Sequence, residues 1–253
     1  MTAKKASISN SKGGVGKTTT TTTLGHALAL RGKRTLIVDF DPQGQCATAL
    51  GLNPEPCVFN LLISPASGSS HRWVRETGRE NLDLIPGDRS TATAQIVLNA
   101  ENRPISAVAE ALASLSKEYD YILFDTAPSA GGLQERAIWA SNQVIIPAAT
   151  EFLSMDGIQQ MAQLLADLNN QRAWQGTLLG VLPTFYETVT KHSKVAMLSL
   201  KGTFGERLLP PIRRSTVLRE CAAEGLTIWE KDPDCSVAAD YTRLVNILIK
   251  NRR

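Results

Sequence analysis

The sequence ISNSKGGVGKTTTTTTLG, residues 8–25, places a glycine cluster between two lysines and follows it with six consecutive threonines. A loop that binds phosphate needs glycines, so that backbone N–H groups can turn inward, and a lysine for the phosphate charge. It also needs a hydroxyl to hold magnesium at the start of the next helix. We therefore predict a phosphate-binding loop between a strand and a helix. The residues that meet these requirements are Gly13, Gly14, Gly16, Lys17 and Thr18.

The loop departs from the usual phosphate-loop pattern at one position. The pattern G-x-x-x-x-G-K-[ST] requires glycine at position 11, where this chain has Ser11 followed directly by Lys12. Lys12 is either a second functional lysine of this loop or only a solvated lysine beside a glycine turn. We expect Thr18 to bind Mg²⁺ and Thr19 to contact phosphate. Residues 20–23 are expected to occupy the first helical turns, held by packing because threonine is a mediocre helix former.

Length and composition favour one domain over residues 1–253, with 43% apolar residues available for a core. The net charge of +3 is too small to indicate nucleic-acid binding by itself. No apolar run approaches the ~20 residues of a membrane span, and we expect a soluble, cytoplasmic protein. Four cysteines without CxxC pairing or zinc-type spacing favour reduced thiols. They are Cys46, Cys57, Cys221 and Cys235.

Short apolar runs alternate with helical patterns, which is typical of a parallel sheet covered by helices on both faces. We predict an α/β fold of the P-loop NTPase type, with a mostly parallel twisted sheet. Segment 59–80, which contains SPASGSSHR (64–72), is interpreted as a polar excursion rather than a domain boundary. The predicted strands are 6–10, 34–40, 82–86, 119–126, 142–148 and 177–184, and the helical patterns include 104–118 and 155–172.

Acidic residues follow two of these strands. VDFDPQGQ (38–45) places Asp39 and Asp41 at the end of the second strand, and YILFDTAPS (121–129) ends an apolar strand in Asp125. Ligands bind at the carboxyl edge of a parallel sheet. Side chains two residues apart on a strand point the same way, so Asp39 and Asp41 can both face a ligand there. The structural alternative is a pair of carboxylates that ends a strand and begins a turn.

The stretch KGGVGKTTT, residues 12–20, resembles the deviant Walker A motif of the ParA/MinD superfamily of ATPases. The resemblance implies that Lys17 is the ordinary phosphate lysine and that Lys12 crosses a dimer interface to the partner's nucleotide. A second cation aimed at the phosphates stabilises charge during phosphoryl transfer, as an arginine finger does. The implied ATP-binding residues are Lys12, Gly13, Gly14, Val15, Gly16, Lys17, Thr18 and Thr19.

The acidic motifs resemble two further elements of this superfamily. VDFDPQGQ is similar to switch I, where Asp41 helps to orient the attacking water and Asp39 lies nearer the magnesium shell. YILFDTAPS is similar to a Walker B strand, whose carboxylate at Asp125 holds magnesium, usually through water. The resemblance thus implies the cofactors ATP and Mg²⁺. The catalytic residues are then Lys12 and Asp41, and the metal-site residues are Thr18, Asp39 and Asp125.

Ser11 and DFDPQ (39–43) resemble the ParA branch of the superfamily rather than the MinD branch. LLPPIRRSTVLRECAAEGLTIWEKDP (208–233) is also similar to the ParA-type segment after the penultimate strands, although residues 213–221 lack the usual proline of that segment. MinD-like proteins end in a basic amphipathic helix that targets membranes, and YTRLVNILIKNRR (241–253) has some of that character. We favour a packed last helix. Its core face comprises Leu244, Val245 and Leu248.

Membership of the ParA branch implies an ATP-dependent homodimer that binds DNA without sequence preference and stays off membranes. Hydrolysis stimulated by a ParB-like partner then releases it from the nucleoid. The alternative is a MinD-like membrane-associated positioning ATPase. Arg213, Arg214 and Arg219 are the predicted DNA contacts, because they surround a predicted helix start where backbone N–H groups also favour phosphate. The competing interpretation of these arginines is an ordinary solvated face.

Overall fold

The computed structural model describes residues 2–63, 70–128, 132–151, 153 and 155–251. Within these ranges the strands predicted from the sequence are present, with ends shifted by at most two residues. The strands are β1 (Lys4–Ile8), β2 (Thr35–Asp39), β3 (Arg75–Arg79), β4 (Leu82–Ile85), β5 (Tyr121–Asp125), β6 (Gln143–Ala149) and β7 (Thr177–Thr184).

The strands form one seven-stranded sheet in the order β3-β4-β2-β5-β1-β6-β7. Every neighbouring pair is parallel except β3 with β4, which confirms the predicted α/β fold with a mostly parallel sheet. The register pairs Asp125 with Ile8 on one side and with Asp39 on the other. Because parallel strands end at the same edge, the segments after β1, β2 and β5 meet at one place.

Helices cover both faces of this sheet. One core joins the inner faces of the first, second and last three helices to the sheet, and another joins the third to sixth helices to the opposite face. A third core lies around β6 and β7. The helices are α1 (Lys17–Ala29), α2 (Gln45–Ala49), α3 (Cys57–Ile63), α4 (Ser90–Ala100), α5 (Ala107–Ala111), α6 (Leu133–Trp139), α7 (Met155–Arg172), α8 (Lys191–Phe204), α9 (Thr216–Glu224), α10 (Ile228–Lys231) and α11 (Ser236–Lys250).

The threonine-rich helix α1 is buried over most of its surface, and residues 20–23 are all buried. Their hydroxyls need partners inside the protein, because an unpaired buried hydroxyl costs free energy. The single hydroxyl hydrogen of Thr21 is shared between the Lys17 carbonyl at 3.0 Å and the Asp125 Oδ1 at 3.1 Å, and the Thr22 Oγ1 donates to the Thr18 carbonyl at 3.0 Å. The helix is thus held by packing against β2, β5 and α11 despite its poor intrinsic propensity, as predicted.

The last helix, α11, packs into the core beside α1. Leu244, Val245 and Leu248 are at most 1% exposed, which confirms the packed face predicted from the sequence. The basic residues Arg252 and Arg253, which suggested a membrane-targeting helix, lie outside the described residues. Within the described part of the chain, no helix combines the length and apolar character needed to cross a bilayer.

Two sequence predictions were wrong in detail. The segment 59–80 was interpreted as a polar excursion, but its end forms β3, an antiparallel edge strand with Thr77 as its one buried residue. Such a strand has no apolar run to reveal it, and residues 64–69 lie outside the described residues. The helical pattern over 104–118 is divided into α5 and a 3-10 turn, Leu115–Lys117.

The packing of α11 predicts a large loss of stability when its core face is truncated. Leu244→Ala removes a fully buried side chain and should lower the free energy of unfolding by about 2–5 kcal/mol, measured by urea denaturation. Asn246→Ala on the exposed face of the same helix is the matched control and should change it by less than about 0.5 kcal/mol. If both substitutions changed the free energy of unfolding by equally small amounts, the packing of α11 against the core would not contribute to stability.

Candidate nucleotide and metal site

The phosphate-binding loop connects the end of β1 to α1 and is fixed by its own backbone and by Asn10. Gly14 and Gly16 have φ values of 69° and 85°, in the left-handed region where glycine has no Cβ penalty. The Asn10 Oδ1 accepts the Lys12 N–H at 3.0 Å, and its Nδ2 donates to the Pro147 carbonyl at 2.6 Å. Asn10 thereby ties the loop to β6, a role that the sequence did not reveal.

Lys17 is placed to neutralise an anion inside the loop. Its Nζ donates to the Lys12 carbonyl at 2.7 Å, and the residue is 7% exposed. Burial lowers the pKa of this ammonium, while Asp125 and Asp41 act in the opposite direction. The loop borders a cavity of about 330 Å³. Its lining consists of Gly13, Gly14, Gly16, Lys17, Thr18, Thr19, Asp41, Gln43, Gln45, Pro128 and Phe185.

Lys12 is exposed and is not part of the lining of that cavity. The stem of the lysine lies against α7: a Cβ added to Gly157 would come within 2.6 Å of the Lys12 Cγ. The Ser11 Oγ donates to the Gly157 carbonyl at 3.3 Å, which holds the same segment against α7. The two lysines of the loop therefore have different surroundings, one inside the cavity and one on the surface.

The Asp125 carboxylate lies at the end of β5, completely buried. It accepts hydrogen bonds from the Thr18 Oγ1 at 2.7 Å, from the Thr21 Oγ1 at 3.1 Å and from the Cys46 thiol at 3.4 Å. Burial raises the pKa of Asp125 to about 6, although the bond from Thr18 acts to lower it. Thr21 and Cys46 were missed by sequence reasoning, which assigned no chemistry to the later threonines and no ligand role to cysteine.

Asp39 and Asp41 have different environments although they lie two residues apart. The Asp39 Oδ1 accepts the Asp41 N–H at 3.0 Å, and its Oδ2 accepts the Cys46 N–H at 2.9 Å. Burial and the nearby Asp125 raise the pKa of Asp39 well above its usual range. Asp41 lines the cavity instead, with its Oδ1 accepting the Gln43 N–H at 2.9 Å. Asp39 thus shapes the loop after β2, and Asp41 faces the cavity.

The chemistry of these side chains fits a magnesium ion. Ligand atoms of Asp39, Cys46 and Asp125 all lie within 4.8 Å of one another, and the Thr18 hydroxyl contacts the same cluster through Asp125. Carboxylate and hydroxyl oxygens are the ligands that Mg²⁺ prefers. Two adjacent buried carboxylates also require a cation or a proton to offset their repulsion. Both Asp39 oxygens already accept a backbone N–H group. Direct binding of the ion by Asp39 stays a prediction.

The three arginines predicted to contact DNA have unequal surroundings. Arg213 forms a bidentate pair with the buried Asp240, through Nε at 2.9 Å and Nη2 at 2.8 Å. Arg214 pairs with Glu151 and Glu187. Arg219 is exposed on α9 and has no ion pair among the described residues. The structure therefore does not bring the three together as one free cationic cluster.

Comparisons with known proteins show the family of this chain. A family model described as an AAA domain matches residues 3–175. The chromosome-partitioning ATPase Soj of Treponema pallidum is 35% identical over 243 residues, which cover 95% of this chain and 94% of that protein. The chain belongs to the ParA/MinD family of P-loop ATPases.

Solved structures of similar proteins share the fold along nearly the whole chain. The cobyrinic acid a,c-diamide synthase of Mycobacterium smegmatis, with a bound ATP analogue and magnesium, has a TM-score of 0.87 and 28% identity, covering 99% of this chain and 97% of that one. The ATP complex of a single-residue variant of Cyanothece McdA has a TM-score of 0.85 and 25% identity, covering 97% and 96%.

The buried Asp125 predicts a pH dependence of stability. Its pKa is raised to about 6 in the folded protein, so the folded state binds more protons than the unfolded state as the pH rises from 4 to 6. In the nucleotide-free protein without magnesium, this carboxyl should therefore lower the free energy of unfolding by about 2 kcal/mol between pH 4 and pH 7. Asp125→Asn should remove that part of the slope in urea denaturation series. If the free energy of unfolding of the wild type and of Asp125→Asn depended on pH in the same way, the raised pKa would not belong to Asp125.

Proposed function

We propose that this protein is a ParA-type positioning ATPase that binds ATP with Mg²⁺, dimerises around two nucleotides and hydrolyses ATP. The observation that carries the proposal is the convergence of Lys17, Thr18 and Asp41 on one cavity, with Thr18 bonded to Asp125. The name of the Treponema pallidum relative, a chromosome-partitioning ATPase that this chain matches along almost its full length, supports the positioning role.

The nucleotide site rests on the loop and its cavity. The backbone N–H groups of residues 13–19 and the Lys17 ammonium suit the phosphates, while Thr18 and Asp125 suit the metal. Similar proteins hold an ATP analogue with magnesium or ATP in solved structures. When bound, magnesium would neutralise part of the charge that develops on the phosphates. The chain's own contribution is to fix the loop through Asn10 before any ligand arrives.

Asp41 and Lys12 are the proposed catalytic residues. Asp41 is 9% exposed and lines the cavity, and one of its carboxylate oxygens has no hydrogen bond among the described residues. That oxygen can orient a water molecule for attack. Lys12 lies on the surface, outside the nucleotide cavity of its own subunit. This position suits a cation that reaches the nucleotide of a second subunit. This arrangement supports a homodimer that forms with ATP.

DNA is the proposed surface on which the dimer acts, with release after hydrolysis stimulated by a ParB-like partner. We place the main phosphate contacts on exposed cations without acidic partners among the described residues. These are Arg219 on α9 and three lysines on α8, namely Lys191, Lys194 and Lys201. Arg213 and Arg214, which the sequence also suggested, stay predictions. Two copies in a dimer double the phosphate contacts, so a weak site in each subunit suffices. The protein is then cytoplasmic and associated with the nucleoid.

The roles of the two catalytic residues predict different defects. Asp41→Ala should keep ATP-dependent dimerisation but lose at least about hundredfold in single-turnover phosphate release, because water is no longer oriented. Lys12→Ala should bind nucleotide and fail to dimerise. Light scattering with a slowly hydrolysed ATP analogue measures the dimer, with ADP as the reference. Wild-type turnover in Asp41→Ala, or an unchanged size of the wild-type protein in both nucleotides, would overturn these assignments.

The proposed DNA surface predicts that α8 sets the affinity. Lys194→Gln with Lys201→Gln should weaken binding of the ATP-bound dimer equally for unrelated DNA sequences and reduce the salt slope by about two per subunit. Lys33→Gln with Lys117→Gln removes the same charge elsewhere and is the matched control. Fluorescence anisotropy over a salt series provides the measurement. Wild-type slopes in the α8 variant would exclude this surface, and flotation with anionic liposomes instead of DNA binding would favour a MinD-like protein.

A further inference from the structure

A second cavity, of about 270 Å³, lies between the segments that follow β2 and β5. Phe40 and Pro42 form one wall and flank Asp41, while Ala127, two residues after Asp125, forms another. The remaining walls come from α4 and α6. It is separate from the nucleotide cavity, which is lined by a different set of residues. The two cavities take walls from the same two loops, and Asp41 lines only the nucleotide cavity.

Gln134 supplies an unusual polar group to this cavity. The residue is 3% exposed, and its Nε2 donates to the Ala127 carbonyl at 3.3 Å. Its Oε1 is buried and has no hydrogen-bond donor in the part of the chain that the structure describes. The other amide side chain of the cavity, Gln95, already uses its Oε1 to accept the Leu133 N–H. A buried acceptor without a donor is costly, so it favours a ligand that brings one.

We propose that this cavity receives a neutral aromatic side chain with one hydrogen-bond donor, as in tryptophan, from the partner protein that stimulates hydrolysis. No charged side chain lines the cavity among the described residues, and burying an unpaired charge there is unfavourable. Its walls are mostly apolar, and Ile96 at its rim is 67% exposed. Aromatic anchors that fill such pockets carry much of the energy of protein interfaces.

The size of the cavity supports a single side chain as the occupant. Pockets for whole small molecules span about 300–1,000 Å³, and 270 Å³ lies just below that range. An indole has a large apolar surface and one N–H donor, which matches apolar walls with one unpaired acceptor.

Occupation of this cavity would be linked to the nucleotide site. The Phe40 N–H donates to the Asp125 carbonyl at 2.9 Å, and Gln134 is bonded to Ala127, so both loops are held near the occupant. A ligand between two loops that respond to nucleotide binds one arrangement better than the other and shifts the population toward it. This link to hydrolysis and the partner that supplies the side chain rest on the proposed function, whereas the preference of the cavity for a neutral aromatic group with one donor does not.

The test measures binding of indole and 1-methylindole to the nucleotide-free full chain by ligand-observed NMR. Indole should bind about tenfold more tightly than 1-methylindole, which lacks the donor. Gln134→Leu removes the acceptor and should abolish the difference, while Gln171→Leu, an exposed glutamine on α7, should leave it unchanged. Ala92→Trp fills the exposed rim without touching the core and should block both ligands, even if Gln134→Leu fails to fold.

Each result decides a separate claim. Equal affinities of the two indoles for the wild type would overturn the assigned donor, and binding of neither would show that the Gln134 acceptor is only hydrated. Indole affinity should also change by at least about threefold when a slowly hydrolysed ATP analogue is added, as expected for a ligand that prefers one loop arrangement. An unchanged affinity would overturn the link to the nucleotide. If the wild-type chain bound indole more tightly than 1-methylindole but hydrolysed no ATP, the assigned occupant of the cavity would be supported and the proposed function would be refuted.

Discussion

Two buried carboxylates at the ends of neighbouring strands impose the main constraint on this structure. Asp39 and Asp125 face each other in the register of β2 and β5, and both are completely inaccessible to solvent. Burial raises the pKa values of both groups, and a neighbouring carboxylate adds to the rise in each case: Asp125 for Asp39, and Asp41 for Asp125. Each carboxylate therefore needs donors close at hand, which the start of α1 and the loop after β2 provide. The same pair creates a site where a divalent cation is favourable.

The need for donors explains much of the unusual composition of α1. Hydroxyl groups at Thr18 and Thr21 reach the Asp125 carboxylate, so a helix that is otherwise buried must carry polar side chains. The buried threonines Thr20, Thr22 and Thr23 are tolerated because their hydroxyls bond to the preceding turn or to α11. Thr20 lies 3.4 Å from the Tyr241 hydroxyl, which links the last helix to the helix that begins at the phosphate loop. Damage to α11 is therefore expected to reach the nucleotide site through α1.

The tertiary structure, and not the position in the sequence, decides which surface cations have acidic partners. Arg213 and Arg214 are adjacent, yet one bonds the buried Asp240 and the other pairs with Glu151 and Glu187. An arginine held by a carboxylate has less to offer a phosphate than one that is free. The exposed lysines of α8 lie about one or two helical turns apart on one face, so their fields add.

The sequence alone determined the elements that repeat a known chemical pattern. Glycines, Lys17 and Thr18 in fixed spacing specify a phosphate loop, and apolar runs that end in Asp39 and Asp125 specify parallel strands whose ends meet. The packed face of α11 followed from helical periodicity. These features were predictable because each depends on residues close together in the chain, where spacing and local geometry are strongly coupled.

Tertiary structure decided which distant groups became partners. The bond from Cys46 to Asp125, the anchoring of the phosphate loop to β6 by Asn10 and the pairing of Arg213 with Asp240 join residues between 27 and 137 positions apart. The edge strand β3 also escaped notice, because one buried residue produces no apolar run. The Gln134 acceptor, which has no donor among the described residues, is of the same kind, because two loops and two helices from distant parts of the chain enclose it. Burial and hydrogen bonding between distant segments depend on how the sheet brings them together, and a linear pattern carries no record of that geometry.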